Sequence, residues 1–427
     1  LNQNPDLAIS GAQIEQAEAA VRQASGSRMP RVNLSLTATR SNDALNAFGM
    51  KLGQRNATFG DFGAGEFIAP PPGINPLTIA PHDLNHPDAV NNFNSRIELL
   101  VPVYNGGMVQ SYVDTAKAYV RAARSGDEMA RQQLIKHVLM AYQGVHAARA
   151  YIKLAEEGRA AAEEYVRLSD KLYKQGMVVK SDVLSAQVNL EDIKLKLSEA
   201  RNAEAAALDQ LALLMGKSLD EPLDVGAPVT PELLAGSEVD LRARAVNENA
   251  GLRALRSQIE AAGAQVGAAR AGKKPQFNVM LRQDWNDRNL GLEASSYTVA
   301  GVLSWSAFDG GVSNASIDRA SAQRSELVAK LRQAEQGIGY QVAEARRKAI
   351  EAEESISARQ VGLEQAKEAQ RLVRKRYENG MATLIELLGA QAQLDKANAD
   401  LVAARYALAV NRAELKRAVG VLAPDTL

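Results

Sequence analysis

The side chains best suited to catalysis or metal binding are scarce in this chain. It has no cysteine and only four histidines. His82-Asp83 and His86 have helical spacing, but Pro81 and Pro87 flank them, so we expect no helical pair of metal ligands there. The sequence also lacks a nucleophile elbow, a phosphate-binding loop, a dinucleotide fingerprint and zinc-ligand spacing. We therefore predict that the protein is not an enzyme and uses no cofactor and no metal.

Two short segments combine glycine, methionine and an acidic residue at one spacing. The residues of these segments are Gly176, Met177 and Asp182, then Gly380, Met381 and Glu386. Glycine suits the left-handed position that ends a helix, and an exposed methionine beside it offers adaptable apolar area to a partner. The alternative for each segment is a helix reversal that packs on neighbouring helices.

Bulk composition excludes several classes of protein. Among the 427 residues, 50 Lys and Arg balance 50 Asp and Glu, so we predict no nucleic acid as a partner. The sequence has no uninterrupted apolar run of about 18 residues and thus no candidate transmembrane helix. Aromatic residues make up 5% and hydrophobic residues 46%, because alanine is abundant. Small side chains suit long, closely packed helices better than a thick globular core.

The chain is internally duplicated. One set of matches joins Asn4 to Asn249, Gln13 to Gln258, Pro30 to Pro275 and Asn33 to Asn278. A second set joins Gly106 to Gly310, Tyr173 to Tyr377, Gly176 to Gly380 and Gly216 to Gly420. Each set has one constant separation, and the smaller separation of the second set places extra residues between Asn33 and Gly106. We predict a first repeat over 1–216, a belt segment over 217–238 and a second repeat over 239–427.

Alternation of apolar and polar residues predicts two strands in each repeat. These strands cover about residues 31–40, 95–104, 276–284 and 297–308. In the first strand, Val32, Leu34 and Leu36 share one face. The residues between them are polar: Asn33, Ser35 and Thr37. Each strand is about 9–12 residues long, which is enough for a tilted strand to cross a bilayer.

Long helices occupy most of the remaining chain. A proline-free stretch from Gly107 to about Lys174 predicts a helix of roughly 100 Å, and the second repeat has its counterpart from Gly311 to about Glu378. We expect a helix over about 181–215 to stack on one over about 239–271. We likewise expect the C-terminal helix, about 383–420, to stack on the N-terminal helix.

Four strands are too few to close a barrel, because the smallest barrels need about eight. Open sheet edges in lipid would leave costly unpaired backbone groups. If these strands enter a bilayer, other copies must therefore complete the barrel, and two, three or four copies would all provide enough strands.

Several of these motifs occur together in one known family, the TolC/OprM outer-membrane efflux proteins, which this chain resembles over essentially its whole length. The resemblance rests on the duplicated order, the Asn4-Pro5-Asp6-Leu7 opening, the Phe308-Asp309-Gly310-Gly311 motif and the Tyr-x-x-Gly turns followed by an acidic residue. It implies a mainly α protein with a transmembrane β-barrel, in which three duplicated protomers form a 12-stranded barrel and a periplasmic α-helical barrel. The expected localisation is the outer membrane of a Gram-negative bacterium, extending into the periplasm.

The same resemblance implies a function and partners. The protein would be a passive exit duct of a tripartite efflux or type I secretion system. Its partners would be two further copies, a periplasmic adaptor (membrane fusion) protein, an inner-membrane pump of the RND or ABC type, and outer-membrane lipid. The alternative is a soluble or peripheral long-helix scaffold without transport activity, which explains the helices but not the paired strands. Since the chain begins inside a helical pattern, we expect any signal peptide or lipid-anchor cysteine upstream of Leu1.

The family also assigns roles to the two glycine-methionine turns, which would form the periplasmic tip opened by adaptor docking. The adaptor-docking residues would be Gly176, Met177, Val178, Gly380, Met381 and Ala382. The periplasmic gate would comprise Asp182, Glu386, Tyr173, Tyr377, Arg374 and Arg376. Gly389 and Ser185 stand where many relatives have a second acidic ring, so we expect a less charged gate.

Local alternatives exist for the charged members of the gate. Thr383-x-x-Glu386 is a capping box, whereas Val179 offers no hydroxyl at the equivalent position before Asp182. Arg374-Lys375-Arg376 could be a solvated basic patch instead of a set of links.

The extra residues of the first repeat, about 42–94, are rich in Gly, Pro, Asn and Phe. Because they join two strands, we expect them at the extracellular mouth. They would form either an ordered cap or lumen plug, or a flexible surface loop.

Overall fold

The computed structural model describes residues 4–68 and 72–426. Its helices and strands, in chain order, are α1 (Pro5–Gly26), β1 (Arg31–Ser41), α2 (Ala44–Gly53), α3 (Ala64–Ile68), α4 (His82–Asn85), β2 (Val90–Tyr104), α5 (Met108–Lys174), α6 (Lys180–Met215), α7 (Glu238–Glu248), α8 (Ala250–Ala271), β3 (Gln276–Asp287), β4 (Ser295–Ser304), α9 (Val312–Glu378) and α10 (Leu384–Val419). The protein is thus mainly helical with a small sheet, as predicted.

The chain divides into two compact units. The sheet unit consists of Ala19–Lys117 and Ala261–Gln323. The helical unit consists of Ala118–Glu260, Arg324–Leu427 and the N-terminal segment up to Glu18.

In the sheet unit, four antiparallel strands follow the order β1-β2-β3-β4. Val32 lies opposite Leu99, which in turn lies opposite Leu281, and Leu281 lies opposite Val299. These residues belong to an apolar face that remains exposed, with Leu34 at 74% exposure. Within the described residues, β1 and β4 each pair along one side only. The sheet therefore has two open edges and an apolar face without a covering layer.

The opposite face of the sheet is polar, and several of its charged side chains form ion pairs. Arg96 lies opposite Ser35 on one side and Asp284 on the other. The Asp284 carboxylate, which is buried, lies 2.7 Å from Nε of Arg96 and 2.8 Å from Nε of Arg282. Asn94 also donates to Asp284 at 3.1 Å. Such mutual pairing allows charged side chains to sit together at low cost.

Three strands differ from their predicted bounds, and β3 extends to Asp287 instead of about residue 284. β2 begins at Val90 instead of about residue 95, because residues 90–94 pair with Thr37–Ser41 of β1. The insertion is therefore 42–89. β4 covers Ser295–Ser304 and ends before the predicted residue 308. Its partner β3 begins at Gln276, opposite Ser304, so residues beyond Ser304 have no neighbouring strand here. The Trp305 indole instead donates to the carbonyl of Lys273 at 3.1 Å.

The two longest helices, α5 and α9, have 67 residues each and begin with equivalent caps. The side-chain oxygen of Asn105 accepts from the backbone N–H of Val109 at 3.4 Å. Asp309 holds the matching position and accepts from Gly311 and Ser313 at 3.0 and 2.8 Å. A side-chain oxygen at this place accepts from backbone N–H groups of the first helical turn, which have no partner within the helix.

The helices of the helical unit stack end to end, but each with a different partner from the one that we predicted. Asn4, at the start of α1, donates to the carbonyl of Leu214 near the end of α6 at 2.8 Å. Asn249, at the start of α8, donates to the carbonyl of Ala418 near the end of α10 at 3.3 Å. Hence α6 meets α1, and α10 meets α8. Helix α7 is a separate helix, because Asn249 leaves the helical conformation (φ −65°, ψ 121°) between α7 and α8.

The prolines between α6 and α7 explain why this belt segment has no regular structure, since proline lacks a backbone donor. Side chains of long helices bind its carbonyl groups instead. The Tyr142 hydroxyl donates to Ala227 at 2.7 Å, Gln143 donates to Val229, and Arg412 donates to Pro231 at 3.2 Å. The belt segment therefore lies along α5 and α10.

In the part of the chain that the structure describes, none of the helices combines the length and the apolar character needed to cross a membrane.

Candidate functional site

Two helix reversals with the same backbone geometry form the candidate site. Helix α5 turns into α6 at Gly176, and α9 turns into α10 at Gly380. Both glycines are left-handed, with φ of 74° and 69°. Met177 N–H donates to the carbonyl of Leu172 at 3.0 Å, and Met381 N–H donates to that of Arg376 at 2.8 Å. These bonds close the helix ends in the manner of a Schellman motif.

One apolar cluster holds the two reversals together. Its buried members are Tyr165, Leu172, Ala186, Tyr377, Leu384 and Leu387. They come from α5, α6, α9 and α10, so the two hairpins are packed as one body near their ends. Burial of large apolar side chains from all four helices gives this end of the helical unit a defined core.

A buried hydrogen-bond network lies inside the cluster, and the sequence did not reveal it. Tyr165 donates to Gln391 at 2.8 Å and accepts from Gln370 at 2.6 Å. The hydroxyls of Tyr377 and Ser169 lie 2.7 Å apart. Burial raises the pKa of both tyrosines, although their hydrogen bonds oppose this. The only sequence signal was the repeated Ala-Gln pair that includes Gln391.

The duplicated tyrosines have different surroundings. Tyr377 is fully buried, whereas Tyr173 is 42% exposed. The position equivalent to Ser169 in the second repeat is Val373, which has no hydroxyl to bond a tyrosine. Tyr377 is thus packed inside its own protomer, where its hydroxyl meets Ser169, whereas the side chain of Tyr173 is accessible.

Both predicted docking methionines are exposed at the reversals, Met177 at 51% and Met381 at 62%. The methyl group of Met177 rests on Gly380, where an added Cβ would lie 2.5 Å from it. Val178 and Ala382 are half-buried against the apolar cluster. Three further apolar side chains, Val179, Leu184 and Ile385, are also exposed here. They were not predicted, since single exposed apolar residues leave no mark on a helical pattern.

The charged residues of the predicted gate differ in the bonds that their side chains form. Glu386 accepts from the backbone of Thr383 at 3.1 Å and completes the capping box. Arg374 lies 2.9 Å from Glu378, and Arg376 donates to the carbonyl of Met381 at 3.1 Å.

Asp182 differs from these residues. In the described chain its carboxylate forms no ion pair, and it lies near enough to the Tyr377 hydroxyl to add to the rise in that group's pKa.

His82 begins the short helix α4, and His86 follows the last residue of this helix. Pro81 and Pro87 flank the short helix α4 without interrupting it, and the two rings lie 5.1 Å apart. In the described residues, no group of three or more potential ligand side chains could hold a metal ion.

This combination of two helical reversals with an open-edged sheet is found in known proteins. The sequence matches the outer membrane efflux protein family over residues 1–217 and 241–421. The chain belongs to this family. The predicted family and its outer-membrane localisation are thereby confirmed.

The relatives of this chain include the outer membrane protein of an efflux pump and a solved outer membrane channel. The toluene efflux pump outer membrane protein TtgC of Pseudomonas putida is 25% identical over 74% of this chain, a match that spans 66% of TtgC. Protein CyaE of Bordetella pertussis is 28% identical over 79% of this chain and 71% of its own length. The fold matches the Campylobacter jejuni CmeC outer membrane channel with a TM-score of 0.78 at 17% identity, covering 98% of this chain and 83% of CmeC.

Proposed function

We propose that three copies of this protein form a passive exit duct through the outer membrane. The observation that carries the proposal is the open sheet: its exposed apolar face suits lipid, while its two edges cannot stay unpaired there. Pairing β4 of one protomer with β1 of the next satisfies both edges. Three protomers then give a barrel of about twelve strands, which is wider than the eight-stranded barrels that side chains can fill.

The two faces of the sheet fix which side meets lipid and which meets water. The apolar face with Leu34 and Val299 would face lipid, and the face with Arg96 and Asp284 would line the lumen. All four helical connections leave from the sheet end that holds Arg31 and Gln276. These connections would therefore lie on the periplasmic side. A long-helix scaffold without transport activity gives no reason for such a sheet.

The helix reversals would be the periplasmic tip where an adaptor protein docks and couples the duct to an inner-membrane pump. The support for this is the apolar surface that Met177, Met381 and Ile385 leave exposed, since exposed apolar groups at a protruding end suit a helical partner. Asp182 would act in the gate, because its carboxylate lacks an ion pair within the described chain and lies beside the Tyr377 hydroxyl. We assign no catalytic step to the chain.

The decisive experiment is to extract the protein from outer membranes with detergent, determine its mass, and reconstitute it in planar bilayers. We expect a trimer that conducts ions. A folded monomer that stays in the aqueous fraction without detergent would contradict the proposal and favour the scaffold. Loss of export by an otherwise intact pump on deletion of this protein would add the physiological evidence.

A further inference from the structure

The described residues of the insertion between β1 and β2, 42–68 and 72–89, form contacts of their own. Ala47 is fully buried, and the rings of Phe48 and Phe62 meet edge to face at 4.2 Å. Lys51 and Asp61 form an ion pair at 2.5 Å. The hydrogen bond from Lys51 lowers the pKa of Asp61 to about 2, and Thr58 adds further bonds. These contacts argue against a flexible surface loop.

The insertion is anchored to the polar face of the sheet by Gln54. This side chain, 8% exposed, donates to the carbonyl of Asn91 at 2.7 Å and to the side-chain oxygen of Asn92 at 2.9 Å. The side chains of Val90 and Asn92 are buried in consequence. A buried amide with these partners is costly to release, because opening leaves several polar groups without bonds.

A chain of polar contacts extends from this anchor along the sheet. Asn92 and Asn94 both donate to the side-chain oxygen of Asn286 at 3.1 Å. Asn94 also binds Asp284, which in turn pairs with Arg96. The insertion therefore sits on the same face as the charged residues, and not on the apolar face.

The residue that follows the anchor has a left-handed backbone. Arg55 has φ of 54° and is the one non-glycine residue with a positive φ in the described chain. Its guanidinium donates to the carbonyl of Ser295 at the start of β4. Left-handed backbone at such a residue persists where surrounding contacts hold it. The insertion thus contacts β2 through Gln54 and the edge strand β4 through Arg55.

From this geometry we propose that the insertion is a resident constriction of the outer mouth that limits the size of solutes able to pass. The inference rests on the proposed function, since it takes the polar face of the sheet as the lumen wall. Three copies around one axis would each place α2 and its anchor inside the barrel. Gln54 would be the residue that positions the constriction, and the substrate class affected would be bulky solutes.

The absence of cysteine allows a test that does not depend on the state of the periplasmic gate. Ser35→Cys introduces a unique thiol on the polar face, beside Arg96. Intact cells are treated with a small charged maleimide or with a maleimide carried on a long polyethylene glycol. The insertion is removed in a second background by joining Ser41 to Val90 with Asn-Gly. Because these residues pair directly, a two-residue turn keeps the strand register.

We expect the bulky maleimide to label Ser35→Cys in the deletion background and to fail in the full-length chain. Gln54→Leu should give labelling between these limits, whereas Leu45→Gln, at an exposed position of the same helix, should match the full-length chain. Equal labelling by the bulky reagent with and without the insertion would overturn the inference. Failure of the small reagent to reach Ser35→Cys in the deletion background would also overturn it.

A control separates this outcome from failure of the proposed function. Leu290→Cys lies in the exposed turn between β3 and β4, at the same end of the sheet as the insertion. Both reagents should label it in both backgrounds. If neither reagent labels Leu290→Cys on intact cells, the proposed duct topology is wrong. The constriction, which rests on that topology, is then wrong as well.

Discussion

The glycines of the two helix reversals share a backbone conformation but differ in their neighbours. An added Cβ at Gly176 would meet no atom within 4 Å, whereas one at Gly380 would collide with the methyl group of Met177. Both glycines have positive φ. A side chain at Gly176 therefore costs only the free energy of a left-handed backbone. A side chain at Gly380 has this cost and also collides with Met177.

We predict that Gly176→Ala weakens its turn by about 1 kcal/mol, the cost of left-handed alanine. Amide hydrogen exchange of the turn should then accelerate about fivefold. Gly380→Ala should have a larger effect, and adding Met177→Ala should reduce that effect to the level of Gly176→Ala. Equal effects of the two glycine substitutions would show that the contact with Met177 adds nothing to the free-energy cost of Gly380→Ala.

The gate proposal also concerns single residues. Asp182→Asn with Glu386→Gln removes both acidic groups, and glutamine preserves the capping box with Thr383. We expect single-channel conductance in planar bilayers to rise severalfold, because bonds that these carboxylates would make to neighbouring protomers in a closed tip would lose their charge.

Glu191→Gln, on an exposed part of α6, is the matched control for charge and should leave conductance unchanged. A double variant with the same conductance as the parent would remove these acids from the gate.

At the scale of elements, the two reversals start their second helices differently. Helix α10 begins with a complete capping box from Thr383, while α6 begins at Val179 without a side-chain cap. The first turn of α6 should therefore open more readily than that of α10.

Exchanging the two caps tests this difference. Val179→Thr places a hydroxyl three residues before Asp182 and should stabilise the start of α6 by about 1 kcal/mol. Thr383→Val should destabilise the start of α10 by a similar amount. Hydrogen exchange of both helix starts measures the effect, and the prediction fails if the two substitutions shift exchange in the same direction.

The long, regular elements of the protein were predictable from its sequence, whereas the partners at the helix ends were not. Proline-free length and strand alternation predicted α5, α9 and the sheet, because these elements are long and regular. The partners at helix ends were predicted in the wrong combination, since the choice depends on single hydrogen bonds such as Asn4 to Leu214. The tip polar network was missed because Tyr165 and Ser169 have no counterparts in the second repeat.

The proposed two-repeat organisation gains support from those same bonds. Asn4 and Asn249 are equivalent in the duplication, and so are their acceptors Leu214 and Ala418. Gly420 lies against Glu248, where an added Cβ would meet the Glu248 carbonyl at 2.6 Å, so a side chain at this junction would separate the helix ends.

For the whole molecule, the central question is how the sheet is placed in the assembly. Leu34 lies on the apolar face and Ser35 on the polar face of the same edge strand. If the apolar face meets lipid, a charge at Leu34 must be buried in hydrocarbon, whereas one at Ser35 reaches water.

We predict that Leu34→Arg reduces recovery of trimers from the outer membrane, at a cost of about 2–4 kcal/mol per protomer near the bilayer centre. Ser35→Arg should assemble normally. Recovery is measured by the trimer band in detergent extracts of outer membranes. Equal loss in both variants would show that arginine disturbs folding regardless of the face it occupies.

The direct pairing of Ser41 with Val90 has a consequence for how such proteins diversify. An insertion of nearly fifty residues joins the sheet at two paired backbone positions. Its length and sequence therefore do not affect the backbone hydrogen bonds between β1 and β2. Lineages can therefore lengthen, shorten or exchange the segment without refolding the rest. Under the proposed topology, this segment would be the outward-facing part of the protein, and it could evolve at a different rate from the helix reversals that we propose for adaptor docking.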